Sequence, residues 1–238
     1  MATCKLCHRD KKLCNSHIVP EFLFKELYDK DRKLMAISGT GNKGWKPLQK
    51  GLREKLLCGD CEQLLNEKYE KPFMQQWYKD CPLPDRIDID SFFHGQYDYS
   101  VFKLFHLSVL FRESVSSLPT FNQVQLGVHE DRLRQMILNE DPGGIKDYPI
   151  AGYAVLNNSG DIEKRLIGSP IAGRYEGHIF YGQIYGGALW WISVSSHINK
   201  SFMQAGIQGS GELVLAPIPW NEIPLMQEAS YMLNRASL

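Results

Sequence analysis

The sequence predicts an α+β protein in two parts, a small cysteine-stapled unit over residues 1–82 and a larger α+β domain over 83–238 with buried helices and a mainly antiparallel sheet. Three observations carry this expectation. Two CxxC pairs, Cys4/Cys7 and Cys58/Cys61, stand near the start of the chain. A strongly apolar run, Val101 to Val115, lies in the middle. From Tyr148 onward, β-formers alternate with turns built on Asn and Gly. With 238 residues, 43% hydrophobic and 23% charged, the chain can bury a real core, which excludes disordered and fibrous architectures.

The elements follow in order. Residues 4–19 read as a metal knuckle followed by a short hairpin ending at Pro20. Phe22, Leu23 and Leu27, with Glu and Lys between, have helical spacing over roughly 20–30. Residues 38–52 are rich in Gly and turns, and Lys43, Lys46, Lys50, Arg53 and Lys55 make that stretch basic. A helix starts at Cys58, with Asp60 as a cap, and runs through Glu62, Leu65 and Tyr69 until Pro72 ends or kinks it before Phe73 and Trp77. Prolines and acids over 81–91 read as a linker. Two helices follow, Val101–Val115 and Glu130–Asn139. Strands come next at Tyr153–Leu156, Gly177–Tyr185 and Ala188–Val194, the last two joined through Gly186 and Gly187 as a hairpin. Met226 to Asn234 closes the chain as a short helix.

Four thiols in two CxxC pairs suit Zn²⁺, a borderline-soft ion without geometric preference that takes tetrahedral sulfur. A second ligand set is open, because Cys14 and His17 also stand two residues apart and complete a local site with Cys4 and Cys7. The set Cys4, Cys7, Cys58 and Cys61 is preferred, since it uses both pairs and leaves His17 free. A unit of this size rarely has core enough to fold without such a staple. Thiolate ligands fit a reducing compartment, and no apolar stretch approaches the about 20 residues that cross a bilayer, so the expected setting is the cytoplasm with no membrane partner. The net charge is zero, but residues 1–80 hold 16 Lys and Arg against 11 Asp and Glu, so the N-terminal third is the side that faces an anion.

The knuckle CxxC, the run Ser16-His17-Ile18-Val19-Pro20 and the second CxxC at Leu57-Cys58-Gly59-Asp60-Cys61 together resemble the HNH endonuclease family, over about residues 1–75. The resemblance implies a zinc-stapled ββα-metal fold related to the treble clef. It also implies hydrolysis of nucleic-acid phosphodiesters with one catalytic Mg²⁺ or Mn²⁺. His17 takes the general-base position, and Glu62 and Asn66, four residues apart on one helical face, offer hard oxygen ligands to the metal. The pattern departs from the family, which commonly has Asp or His before the base and His after the last Cys; here Ser16 and Glu62 stand there. DNA is the expected substrate, and restriction or anti-phage defence in bacteria the setting by analogy. The competing reading is a non-catalytic zinc module that contacts nucleic acid or a protein partner. On that reading Lys43–Lys55 is the contact surface, Trp45 stacks on a base, and His17 bonds a turn carbonyl. A homodimer through the C-terminal strands is a third. Residues 83–238 carry no motif with attached chemistry, and His106 and Arg112 read as core or edge groups.

Overall fold

A computed structural model describes residues 2–25, 27, 33–36, 46–49 and 51–223. The expected tail helix at 226–234, most of the basic loop and Trp45 lie outside these residues. The N-terminal strands β1 (Ala2–Thr3) and β2 (Asp10–Lys11) pair antiparallel around the first CxxC turn, which is closed by Cys4 N–H to Arg9 O at 3.0 Å. Strand β3 (Leu13–His17) leads to Pro20 and a 3₁₀ turn, Glu21–Phe24; most of the second half of the helix expected over 20–30 lies outside the described residues. Two short strands, β4 (Lys33–Ala36) and β5 (Lys46–Gln49), pair with each other. The partner of β3 is not a local hairpin strand but β6 (Arg53–Cys58), aligned so that His17 faces Arg53 and Leu13 faces Cys58. That pairing replaces the expected hairpin because it alone carries the second CxxC back to the first across 50 intervening residues.

The chain turns from β6 straight into a helix. Cys58 is the extended N-cap residue, and Asp60, instead of capping, pairs with Lys11. Helix α1 (Gly59–Leu65) passes through a π turn (Asn66–Glu70) into α2 (Lys71–Gln75) and a second π turn (Gln76–Asp80). Pro72 therefore neither ends nor breaks it, since it opens a fresh α segment where its missing N–H leaves no bond unmade. Cys61, Leu65, Tyr69, Phe73 and Trp77 are all buried. A strict four-residue spacing drifts by ~40° per step around a helix of 3.6 residues per turn. The wider i→i+5 turns take that drift back and keep the five side chains in one column.

Across the column lie β7 (Phe93–Gln96) and the central helix α3 (Tyr99–Val115), which Asp98 caps by accepting from Val101 N–H at 2.9 Å. Every residue of α3 from Phe102 to Glu113 is buried, so the helix has no solvent face to alternate against. It lies between the 59–80 helix on one side and the sheet on the other. Phe73 stacks on Phe105 at 3.8 Å, and Trp190 of the sheet meets Phe102 at 5.3 Å and Trp77 at 5.1 Å. Helix α4 (His129–Leu138) covers the end near the two CxxC turns, where Tyr69 donates to Ile137 O at 2.6 Å.

The remaining strands are β8 (Ile150–Leu156), β9 (Ile171–Tyr175), β10 (His178–Tyr185), β11 (Ala188–Val194) and, after the short helix α5 (Lys200–Ala205), β12 (Glu212–Pro219). The sheet order is β7-β12-β8-β11-β10-β9, antiparallel except for β12 against β8. The fold is α+β with a mainly antiparallel sheet, as expected. Gly186 and Gly187, at φ of 64° and 83°, make the two-residue hairpin turn, and Trp77 Nε1 donates to Gly186 O at 2.9 Å. Strands β7, β9 and β12 were not foreseen. Pro217 and Pro219 disguise β12, which tolerates them where it runs parallel to β8. One hydrophobic core runs continuously from Leu6 to Leu215, across residue 82. The 81–91 segment is docked through Ile162 N–H to Asp85 O at 2.8 Å. No helix among the described residues is long and apolar enough to cross a membrane.

Candidate metal centre and the adjoining site

The two CxxC turns meet at the base of the β3/β6 pair. The sulfurs of Cys4, Cys7, Cys58 and Cys61 all lie within 4.8 Å of one another, and Cys7 and Cys58 are 3.7 Å apart. Tetrahedral zinc with bonds of about 2.3 Å would separate its sulfurs by about 3.8 Å, so the geometry fits. Cys14 is half-buried and outside the cluster, which removes the local set with His17 as the metal site among the described residues.

The electrostatics suit a cation, which would draw the protons off these four thiols. Burial works against the Cys4 thiolate, yet backbone amides of Cys7, Cys58 and Leu6 overcome it and bring its pKa down to about 7. Burial holds Cys7 above its ordinary range, and burial together with the Cys4 charge pushes Cys61 far up. Four thiolates cannot ionise side by side without a positive ion, and a metal such as zinc resolves the repulsion. The knuckle is gripped from outside: Arg134 of α4 donates to Leu6 O at 3.0 Å, and Lys5 N–H reaches Leu56 O at 3.1 Å.

His17 ends β3 one peptide beyond the buried Ser16. Its Nε2 stands 3.6 Å from Glu21 Oε2, which is also 3.4 Å from Arg53. The Ser16 hydroxyl accepts from Leu57 N–H at 3.0 Å, and it lies near enough to the Glu62 carboxylate to favour its charged form, which brings the residue before His17 beside the residue after Cys61. Burial pushes the Glu62 pKa up; Ser16 and Arg112 counter it, and Glu70 adds to the rise. The Glu62 Oε1 atom is buried without a hydrogen-bond partner among the described residues. Asn66, expected beside Glu62, is exposed at the start of the π turn, while the neighbours of the Glu62 carboxylate are Ser16, Arg112 and Glu70.

Arg112 is the satisfied core group that the sequence suggests, but its reach to the His17 strand was not foreseen. It is 2% exposed and comes from α3, in the other half of the chain. Its Nη1 donates to Glu70 Oε1 at 2.8 Å and to the His17 main-chain oxygen at 3.1 Å, and its Nε donates to Ser108 O at 3.2 Å. The available signal was an arginine inside an otherwise apolar helix, which is rarely buried without a partner.

No family model matches this chain, and no curated protein or solved structure does so either. The fold and the site define an α+β protein with a four-cysteine centre able to hold a metal ion such as zinc.

Proposed function

We propose that the protein is a metal-dependent endonuclease of the zinc-stapled ββα type, acting on DNA. The observation that carries this reading is the approach of Ser16, whose hydroxyl accepts from Leu57 N–H, to the Glu62 carboxylate, one oxygen of which is buried without a hydrogen-bond partner among the described residues. That approach joins the end of the strand bearing His17 to the first turn of the helix that follows the last zinc cysteine. The order strand, returning strand, helix around one four-sulfur clasp supports a treble-clef-like arrangement of residues 1–65. Glu62 makes no ion pair within 4 Å among the described residues, unlike Glu21 and Glu70, and its unpartnered buried oxygen suits a hard metal ligand. Mg²⁺ commonly takes only one or two protein carboxylates and completes its shell with water and phosphate oxygens, so one is the low end of what it needs. Bound there, Mg²⁺ or Mn²⁺ would stabilise charge on the leaving oxygen. His17 takes the proton of the attacking water, the role an imidazole fills near neutral pH.

Zinc-loaded protein with Mn²⁺ should nick supercoiled DNA, and His17→Ala should slow nicking by at least about 100-fold, the usual contribution of a general base. Glu62→Gln should weaken Mn²⁺ binding and slow nicking in parallel. Equal rates in wild type and His17→Ala would remove His17 from the reaction.

One observation favours the non-catalytic alternative: the Arg112 guanidinium already supplies a positive charge beside Glu62 and Glu70. On that reading the module holds nucleic acid or a partner without chemistry. Salt-sensitive DNA binding would then persist in His17→Ala and need no divalent ion.

A further inference from the structure

The buried arginine of α3 belongs to the half of the molecule to which no chemistry attaches, yet it ends in the His17 site. All three nitrogens of its fork make hydrogen bonds. One nitrogen serves both the Glu70 carboxylate, at 2.8 Å, and the His17 carbonyl, at 3.1 Å. The Nε–H is fixed by the carbonyl of Ser108 one turn earlier in α3, at 3.2 Å, and Nη2 reaches the Ser108 hydroxyl at 3.4 Å. Glu70 lies on the helix that also carries Glu62, and His17 ends the strand that carries Ser16. The guanidinium therefore ties the strand and the helix of the candidate site to one rigid, buried element.

Next to it, Glu54 of β6 accepts from the Ser116 and Ser117 hydroxyls and from Ser117 N–H, so the end of α3 is also clamped to the strand opposite Ser16. Two independent polar anchors thus join α3 to the N-terminal strands and helix at this one place, within a contact that is otherwise largely apolar.

From this geometry we infer that Arg112 is a positioning residue of the nuclease site, holding the His17 main chain and the Glu70-bearing helix in register, so that the site is complete only with α3 in place. The inference rests on the nuclease reading above. It makes residues 83–238 part of the site's framework and not a detachable appendage. A misplacement of about 1 Å in a catalytic group can cost on the order of 100-fold in rate, which sets the size of the effect.

The test compares wild type, Arg112→Gln and Arg112→Lys as full-length, zinc-loaded chains. Readouts are plasmid nicking with Mn²⁺, zinc content, thermal melting and the ¹⁵N shift of the Ile18 amide, which shares a peptide plane with the His17 carbonyl. Arg112→Gln should retain zinc, lower kcat about 100-fold and leave KM for DNA within about 2-fold. Arg112→Lys should not restore the rate, because an ammonium is a point charge without the planar fork. The Ile18 amide should shift in both variants.

Unchanged kcat in Arg112→Gln, full activity in Arg112→Lys, or an unmoved Ile18 amide would each overturn the positioning role while leaving an active wild-type enzyme. An inactive wild type whose Ile18 amide still depends on Arg112 would overturn the nuclease reading itself, and the positioning role with it. Should Arg112→Gln fail to fold, Glu70→Gln keeps the guanidinium and removes the carboxylate that aims it. It should lower kcat about 10-fold, and an unchanged rate there would equally sink the inference.

Discussion

Glu113 sits next to Arg112 on α3 but faces the other way, into the sheet. It accepts from Gln183 Nε2 at 2.6 Å, and the chain continues from Gln183 to the Tyr185 hydroxyl at 3.1 Å and from there to His106 Nδ1 at 2.5 Å. Burial pushes the Glu113 pKa up to about 8, against the opposing pull of Gln183 and Arg112. The native state therefore keeps its proton where the unfolded chain, at an ordinary 4.5, has released it. Stability should accordingly fall as pH rises from about 4.5 to about 8, by on the order of a few kcal/mol. Urea unfolding of wild type and Glu113→Gln across that window should show the gap between them widening with pH in favour of the variant. A constant gap would mean that Glu113 is ionised in the native state or more solvated than its packing shows.

The 59–80 helix teaches a different lesson. Proline looks like its break point, yet the second π turn lies beyond Pro72, so proline cannot be the cause of both. The buried column Cys61, Leu65, Tyr69, Phe73, Trp77 can be, since each π turn returns the next side chain to α3. Pro72→Ala should thus keep the helix path and change stability by no more than about 1 kcal/mol. Trp77→Ala should cost about 3–5 kcal/mol, because it empties a site packed against Phe73 and Trp190 and orphans the Gly186 carbonyl. Thermal melts of the two variants check both values, and a large loss in Pro72→Ala would return the cause to proline.

The molecule as a whole is one core stapled at one end. The four-cysteine cluster brings the first CxxC turn against the junction of β6 and α1, and that turn is gripped by α4 through Arg134, while α3 carries aromatic contacts from the helix to the sheet. Stripping the metal with a strong chelator should release the thiol repulsion and open the zinc-side unit first. Hydrogen exchange should show residues 2–17 and 53–61 losing protection while β8, β10 and β11 keep theirs. Simultaneous loss everywhere would show that the staple supports the entire core.

The four clustered cysteines, the 99–115 and 129–138 helices and the Gly186-Gly187 hairpin were legible in the chain, because each is written in local spacing: CxxC pairs, apolar runs and a two-glycine turn. The juxtaposition of Ser16 with Glu62 depended on the β3/β6 pairing. Arg112 reaching His17 and Glu70, 95 and 42 residues away, depended on how α3 docks. Prolines hid β12, and the π turns came from a column that only its partner helix demands. Local periodicity records what a segment does with its own neighbours, whereas long-range docking follows from which buried faces and charges find each other, and no short window of sequence contains both partners.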